Sequence, residues 1–264
     1  MSVISLEAAR DALTHGTGRG IKVAVIDSGV ERTHEALDGM ELADDIAVVN
    51  DTLQLRVIDG NGTDAYGHGT AIAEIIRRIA PEVSIGSFRV LDAALASRTA
   101  IIQEGVRQAL DRGYHVLNCS FGCRGEARYV MSYKEWVDES YLKGRHVVAA
   151  CNNFDFSVPE WPGHFPTVIT VNMARTRGHQ FFYSPTQLAE FAAAGENIDV
   201  AWAGGSRKCV TGSSYAAPVM SGLLARLLSV HPSLRPLEAK ALLHRLAAEF
   251  TPEVAGPNVP QQTR

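Results

Sequence analysis

Long hydrophobic runs are missing from this sequence. No stretch approaches the roughly 18 consecutive apolar residues of a membrane-spanning helix. The opening MSVISLEAARDALTHG has neither the basic start nor the apolar run of a secretory leader. No membrane partner is expected, and the protein is expected to be cytoplasmic. Cysteine is scarce, with four in 264 residues: Cys119, Cys123, Cys151 and Cys209. That is too few for a dense disulfide scaffold and fits a reducing compartment. None stands in a CxxC or Cys/His pattern that would hold zinc, so the thiols are expected to be small core residues; a redox-sensitive group of Cys119, Cys123 and Cys151 is the alternative. Charge of one sign is also lacking: the net charge is −4, without a long acidic or basic run, which removes the electrostatic case for a nucleic-acid partner. What is present, 46% apolar and 20% charged residues, suffices for a sizeable core.

The apolar residues fall in alternating patterns. Ile21–Ile26 is an almost continuous β-branched run, the mark of a strand buried on both faces. Val48–Val57 reads as a strand or hairpin leading to the turn Asp59–Asp64. AIAEIIRRIA carries Ile72, Ile75, Ile76 and Ile79 on one helical face. Further strands are expected at VSIGSFRVL, 114–119, 146–150 and 167–171, with short ones near 199–201 and 208–210. Helices are expected over 97–113, capped by Ser97 or Thr99, and over 127–142, 219–230 and 237–250. The stripe Tyr129, Tyr133, Trp136, Val137 and Tyr141 is expected to pack in the core; a lip over a substrate groove is the alternative. Strands alternating with helices, without repeat or composition break, predict one α/β domain over 1–250 around a mainly parallel sheet flanked by helices. The proline-rich stretch 251–264 is expected to be a disordered tail.

Three local features carry chemistry. Asp27 ends the first strand, where open α/β sheets place their sites, although a strand-end turn uses aspartate too. His68 sits between Gly67 and Gly69 at a helix start, where other groups approach closely; a surface turn is the plainer alternative. Gly212-Ser213-Ser214-Tyr215-Ala216-Ala217-Pro218 precedes an apolar helical run, and a serine there faces outward-pointing N–H groups. Alone, each is unremarkable. Together they supply acid, base and nucleophile once each, and an attacking hydroxyl needs all of them plus donors for the oxyanion.

VAVIDSGV, GHGTAIA and GSSYAAP, in that order, resemble the three catalytic motifs of the subtilisin-like serine proteases. The stretch FRVLDAALASRTAIIQEGVRQALDRGYHVLNCSFG resembles that family's passage into its substrate-binding edge, and HVVAACNN its oxyanion strand; the likeness runs from about Ile21 to Phe250. It implies a subtilisin-like fold and a serine endopeptidase acting on peptides or proteins. Ser214 would be the nucleophile, His68 the general base and then acid, and Asp27 its orienting carboxylate. Asn152 would donate to the oxyanion together with the Ser214 N–H. Ser120, Phe121 and Gly122 would bind the extended substrate, with Ala150 and Cys151 at the pocket floor.

The departures are specific. Cys151 replaces a usual glycine, Ser213 and Tyr215 a threonine and a methionine, Ala71 and Val219 histidines, and Glu74 a small glycine; Glu74 would disturb helix packing unless it finds a partner. No cofactor is required for the chemistry. A structural calcium is compatible with the family, but the Asp59–Asp64 turn lacks EF-hand spacing and no ligand set is identified. The short stretch before Asp27 leaves out a foldable propeptide, so the chain is expected to fold unaided or to be a mature fragment. The compact size points to intracellular turnover or to processing of a specific precursor, such as leader removal, the latter resting on the missing propeptide and the altered pocket. A catalytically inactive binding protein and a peptide ligase or macrocyclase are the alternatives. An α/β-hydrolase esterase is disfavoured, because the residue two after Ser214 is Ala216, so a GxSxG elbow is absent, and the motif order differs.

Overall fold

A computed structural model describes residues 4–249 apart from 52–53, 156–157, 177 and 185–186. The chain opens with α1 (Leu6–His15), β1 (Lys22–Asp27), the hairpin β2 (Asp45–Asp51) and β3 (Gln54–Asp59), then α2 (His68–Ile79) and β4 (Ser84–Arg89). It continues through α3 (Thr99–Asp111), β5 (Val116–Cys119), β6 (Cys123–Arg124), α4 (Val130–Leu142), β7 (His146–Ala150) and β8 (Glu160–Trp161). The last part holds β9 (Ile169–Ala174), β10 (Phe181–Tyr183), β11 (Phe191–Ala194), β12 (Ile198–Trp202), β13 (Ser206–Val210), α5 (Ser213–Val230), α6 (Pro236–Leu246) and β14 (Ala248–Glu249).

Ten strands form the main sheet in the order β14-β10-β11-β9-β7-β5-β1-β4-β2-β3. Every pairing from β11 across to β2 is parallel; β2–β3 and β10–β11 are antiparallel. The continuous apolar run of β1 has a direct cause. Val23 and Val25 face a core shared with α1, α2, α5 and α6, while Ala24 and Ile26 face a second core built with α3 and α4. With both faces buried, no polar alternation is tolerated. The aromatic stripe meets its expectation in part: Tyr133, Trp136 and Val137 are buried in the second core and Tyr129 packs against it, while Tyr141 is half-buried outside it. Chain order steps from β1 to β4 on one side and back to β5 on the other. The carboxyl end of β1 is therefore a topological switch point, where such sheets open a crevice.

Several expectations shift. Neither Ser97 nor Thr99 caps α3; Arg98 stands at its N-cap without a side-chain hydrogen bond, and the Ser97 hydroxyl donates to Val90 O at 2.6 Å. Helix α5 begins at Ser213 rather than Val219, so Pro218 lies inside it. Pro236 is within α6, in the first turn, where its missing N–H costs nothing. Helix α1 and strands β10 and β11 were not anticipated. No helix of the described residues is long and apolar enough to cross a membrane. The tail expected over 251–264 lies outside the described residues.

Candidate active site

Asp27 is the last residue of β1 and fully buried. Its Oδ1 accepts from the Ser28 N–H at 2.8 Å, and His68 Nδ1 lies 2.8 Å from Oδ1 and 3.0 Å from Oδ2. A neutral imidazole facing a carboxylate in this way donates through Nδ1–H, which leaves the lone pair on Nε2. Burial is the largest single influence on His68 and opposes its charge. The nearby Asp27 charge and hydrogen bond, with Asp64 adding to them, outweigh it and raise the His68 pKa above 6.5.

The two glycines around His68 are structural necessities. Gly67 adopts φ +113°, strained for any other residue, and a Cβ on Gly69 would stand 2.0 Å from the Gly29 carbonyl oxygen. The turn is tied down by Asp64, which sequence reasoning treated only as part of a loop. Its Oδ1 accepts from the Ser28 hydroxyl (2.7 Å) and the N–H groups of Tyr66 (3.0 Å) and Gly67 (2.8 Å). Its Oδ2 accepts from the N–H and hydroxyl of Thr70 at 2.8 and 2.6 Å. The signal was present as an acidic residue just ahead of a helix start. Asp64→Ala is expected to lower stability by about 2 kcal/mol or more, measured by urea unfolding, because several donors lose their acceptor together.

Ser214 is the second residue of α5, where its N–H has no acceptor within the helix. It is partly exposed, and the next residue, Tyr215, packs its ring edge-on against His68 with centroids 5.3 Å apart. The helix end is held from below. Pro218 supplies no N–H for the Ser214 carbonyl four residues earlier, and the Ser120 hydroxyl donates to that carbonyl instead, at 2.8 Å. Asn118 Nδ2 donates to Ser120 Oγ, and the Ser221 hydroxyl donates to Asn118 Oδ1, each at 2.8 Å. All three side chains are buried, so this chain of bonds locks α5 to β5. Asn118 and Ser221 were missed because nothing local marks them.

Just past β7, Asn152 Oδ1 accepts from the N–H groups of Phe154 (2.8 Å) and Asp155 (3.0 Å), which orients the amide so that Nδ2 is the free donor end. Nδ2 donates to Glu160 Oε1 at 2.9 Å, leaving its second N–H. Asn153 does different work: its Oδ1 accepts from the Ser213 N–H at 2.7 Å and caps α5. The Ser213 hydroxyl donates to the Cys151 carbonyl at 2.6 Å. Ala150 and Cys151 are buried, Phe121 is half-buried, and Gly122 is exposed at the edge.

The cysteines are all unpaired. Burial pushes the Cys151 thiol up to about 12 and that of Cys119 higher still, so both stay protonated and unreactive at neutral pH. Glu74 finds its partners: Arg78 Nη2 at 2.6 Å, Arg207 Nη1 at 3.2 Å and the Ala201 N–H at 2.6 Å. Burial works against its charge, but these contacts together hold its pKa below the usual range. Among the described residues no group of three or more His, Cys, Asp or Glu side chains is placed to hold a metal. A cavity of about 1110 Å³ lies between α2 and α5, but none of Asp27, His68, Asn152 or Ser214 lines it.

The model of the Subtilase family matches residues 18–262. Subtilisin DY of Bacillus licheniformis is 26% identical over 248 residues, covering 89% of this chain and 85% of that protein. Subtilisin E of Bacillus subtilis (strain 168) is 28% identical over 239 residues, covering 82% of this chain and 58% of its own length. The crystal structure of a cold adapted subtilisin-like serine proteinase superposes with a TM-score of 0.70 at 25% identity, over 88% of this chain and 83% of that one. With a family match over nearly the whole length and the same fold in solved structures, the chain belongs to the subtilase family.

Proposed function

We propose that this protein is a serine endopeptidase that cleaves peptide bonds through an acyl-enzyme. The observation that carries the reading is the buried Asp27–His68 pair, with the N-terminus of α5 set against the imidazole through Tyr215. Ser214 Oγ attacks the substrate carbonyl while His68 Nε2 takes its proton, and Asp27 stabilises the imidazolium that forms. The Ser214 N–H and the remaining Asn152 Nδ2–H receive the charge developing on the carbonyl oxygen. His68 then returns the proton to the leaving amine; water, activated by the same imidazole, releases the acyl group and restores the serine. The substrate lies along Ser120, Phe121 and Gly122 as an added extended strand. These steps use side chains and backbone alone and call for no cofactor. Four unpaired cysteines favour a reducing compartment.

The decisive measurement is the mass of the protein after exposure to a fluorophosphonate probe. One covalent adduct, absent from Ser214→Ala, is expected; a well-folded chain that takes up no probe would instead be a binding protein on the same fold. Product analysis with an added amine nucleophile separates hydrolysis from ligation. For Asn152→Ala, kcat is expected to fall by about 100-fold or more in the folded protein, since one oxyanion donor is typically worth about 3 kcal/mol; the thermal midpoint should fall as well, because the Phe154 and Asp155 N–H groups and Glu160 lose their partner.

A further inference from the structure

Strands β6 and β8 form a short antiparallel ladder that pairs Cys123 with Trp161 and Arg124 with Glu160. It brings Glu160, which sequence reasoning did not single out, between the two walls assigned to the substrate pocket. Glu160 Oε2 lies 2.6 Å from the position a Cβ on Gly122 would take, so the carboxylate reaches the substrate edge. Oε1 accepts from Asn152 Nδ2 at 2.9 Å. The charge is felt by the thiols on both sides: Cys123 and Cys151 have raised pKa values, chiefly through burial, with Glu160 adding to each.

Glu160 has no cation to answer it among the described residues. Among the described residues no lysine, arginine or histidine forms an ion pair with it; Arg124, opposite it in the ladder, is exposed and unpaired with it. The side chain is half-buried, and burial raises its pKa, with the Asn152 hydrogen bond acting in the opposite sense. A partly desolvated carboxylate with a single amide partner is an incomplete site, and a cationic head group would complete it.

We propose that Glu160 sets the specificity of the pocket for the residue before the scissile bond, and that this residue is arginine or lysine. The inference rests on the endopeptidase reading given above. A cationic side chain extending past Gly122 pairs with the Glu160 carboxylate. A neutral one leaves that carboxylate desolvated without recompense, and an acidic one is repelled. Such a pocket is selective, which suits processing of a defined precursor site better than general digestion.

The test uses the intact chain and peptide amides that differ only in the residue before the cleaved bond: Arg, Lys, Gln, Phe or Glu. Values of kcat/KM for Arg and Lys are expected to exceed those for Gln and Phe by about 30-fold or more. In Glu160→Gln the Arg-to-Gln ratio is expected to fall to within about threefold, while Glu160→Asp, which keeps the charge, retains a preference for cations. The ratio is the informative readout, because disturbing Asn152 would change all substrates together. A preference for Phe that Glu160→Gln leaves unaltered, in a protein that fluorophosphonate labels, overturns the pocket assignment and leaves the endopeptidase reading standing. If no label enters, that reading falls. The pocket is then decided by calorimetry of Ser214→Ala with product-like peptides ending in Arg or Phe. Tighter binding of the Arg peptide by about tenfold, lost on adding Glu160→Gln, supports the assignment, and equal binding refutes it.

Discussion

Ser214→Ala is expected to lower kcat by about a million-fold and to abolish fluorophosphonate labelling, the magnitude that subtilisin-type triads show on losing the serine. The reason lies in how few groups share the work. A serine hydroxyl is a poor nucleophile until an imidazole accepts its proton, and the imidazole has no serine hydroxyl to activate once Ser214 is gone. Removing His68 as well should therefore add almost nothing to the loss. A double variant much slower than Ser214→Ala would show that the two act separately and would contradict the assignment. The fold should be indifferent to Ser214→Ala, since the contact that holds this part of α5 is the Ser214 carbonyl bonded to Ser120, which alanine keeps.

Asp27→Asn is expected to cost about 10⁴-fold in kcat, again the scale known for triads that lose the orienting carboxylate. An amide can present its N–H to His68 Nδ1, which would favour the tautomer with the proton on Nε2, the nitrogen that must be basic. The substitution also has a signature in pH. In the unaltered protein the His68 pKa is raised, with burial opposing the charge and Asp27 prevailing. Activity requires the neutral ring, so kcat/KM should be low in acid and climb as pH passes an inflection above 6.5. Without the Asp27 charge the largest remaining influence is burial, which lowers the pKa, and the residual activity should therefore rise at a lower pH than before. An inflection that stays in place after Asp27→Asn would mean that another group governs the profile.

Much of the fold could be read along the chain because its signals are local. An almost continuous β-branched run announced β1, since a strand covered on both faces has no exposed side to make polar, and shorter apolar runs announced β5 and β7. The isoleucine spacing announced α2 for the same kind of reason. The start of α5 lies ahead of the expected Val219: the structure tolerates Pro218 within the helix by supplying the Ser120 hydroxyl to the stranded carbonyl. Helix α1 was not anticipated, although Ser5 caps it with a hydrogen bond from the Ala8 N–H, at 3.1 Å, and Leu6, Ala9 and Leu13 recur at helical spacing.

The sequence by itself determined the class of fold, the family, and the positions of Asp27, His68 and Ser214, because each motif couples a reactive residue to the glycines and apolar runs that shape its own turn. Only the tertiary structure decided which groups support them. Asn118 and Ser221, Asn153 and Ser213, Glu74 and Arg207, and Glu160 and Asn152 each lie on different elements. Their pairing depends on how sheet and helices pack, and no periodicity along the chain encodes a hydrogen bond across it. The same holds for charge: whether a carboxylate is satisfied, as Glu74 is by two arginines, or left without a cation among the described residues, as Glu160 is, depends on neighbours that arrive only with the fold.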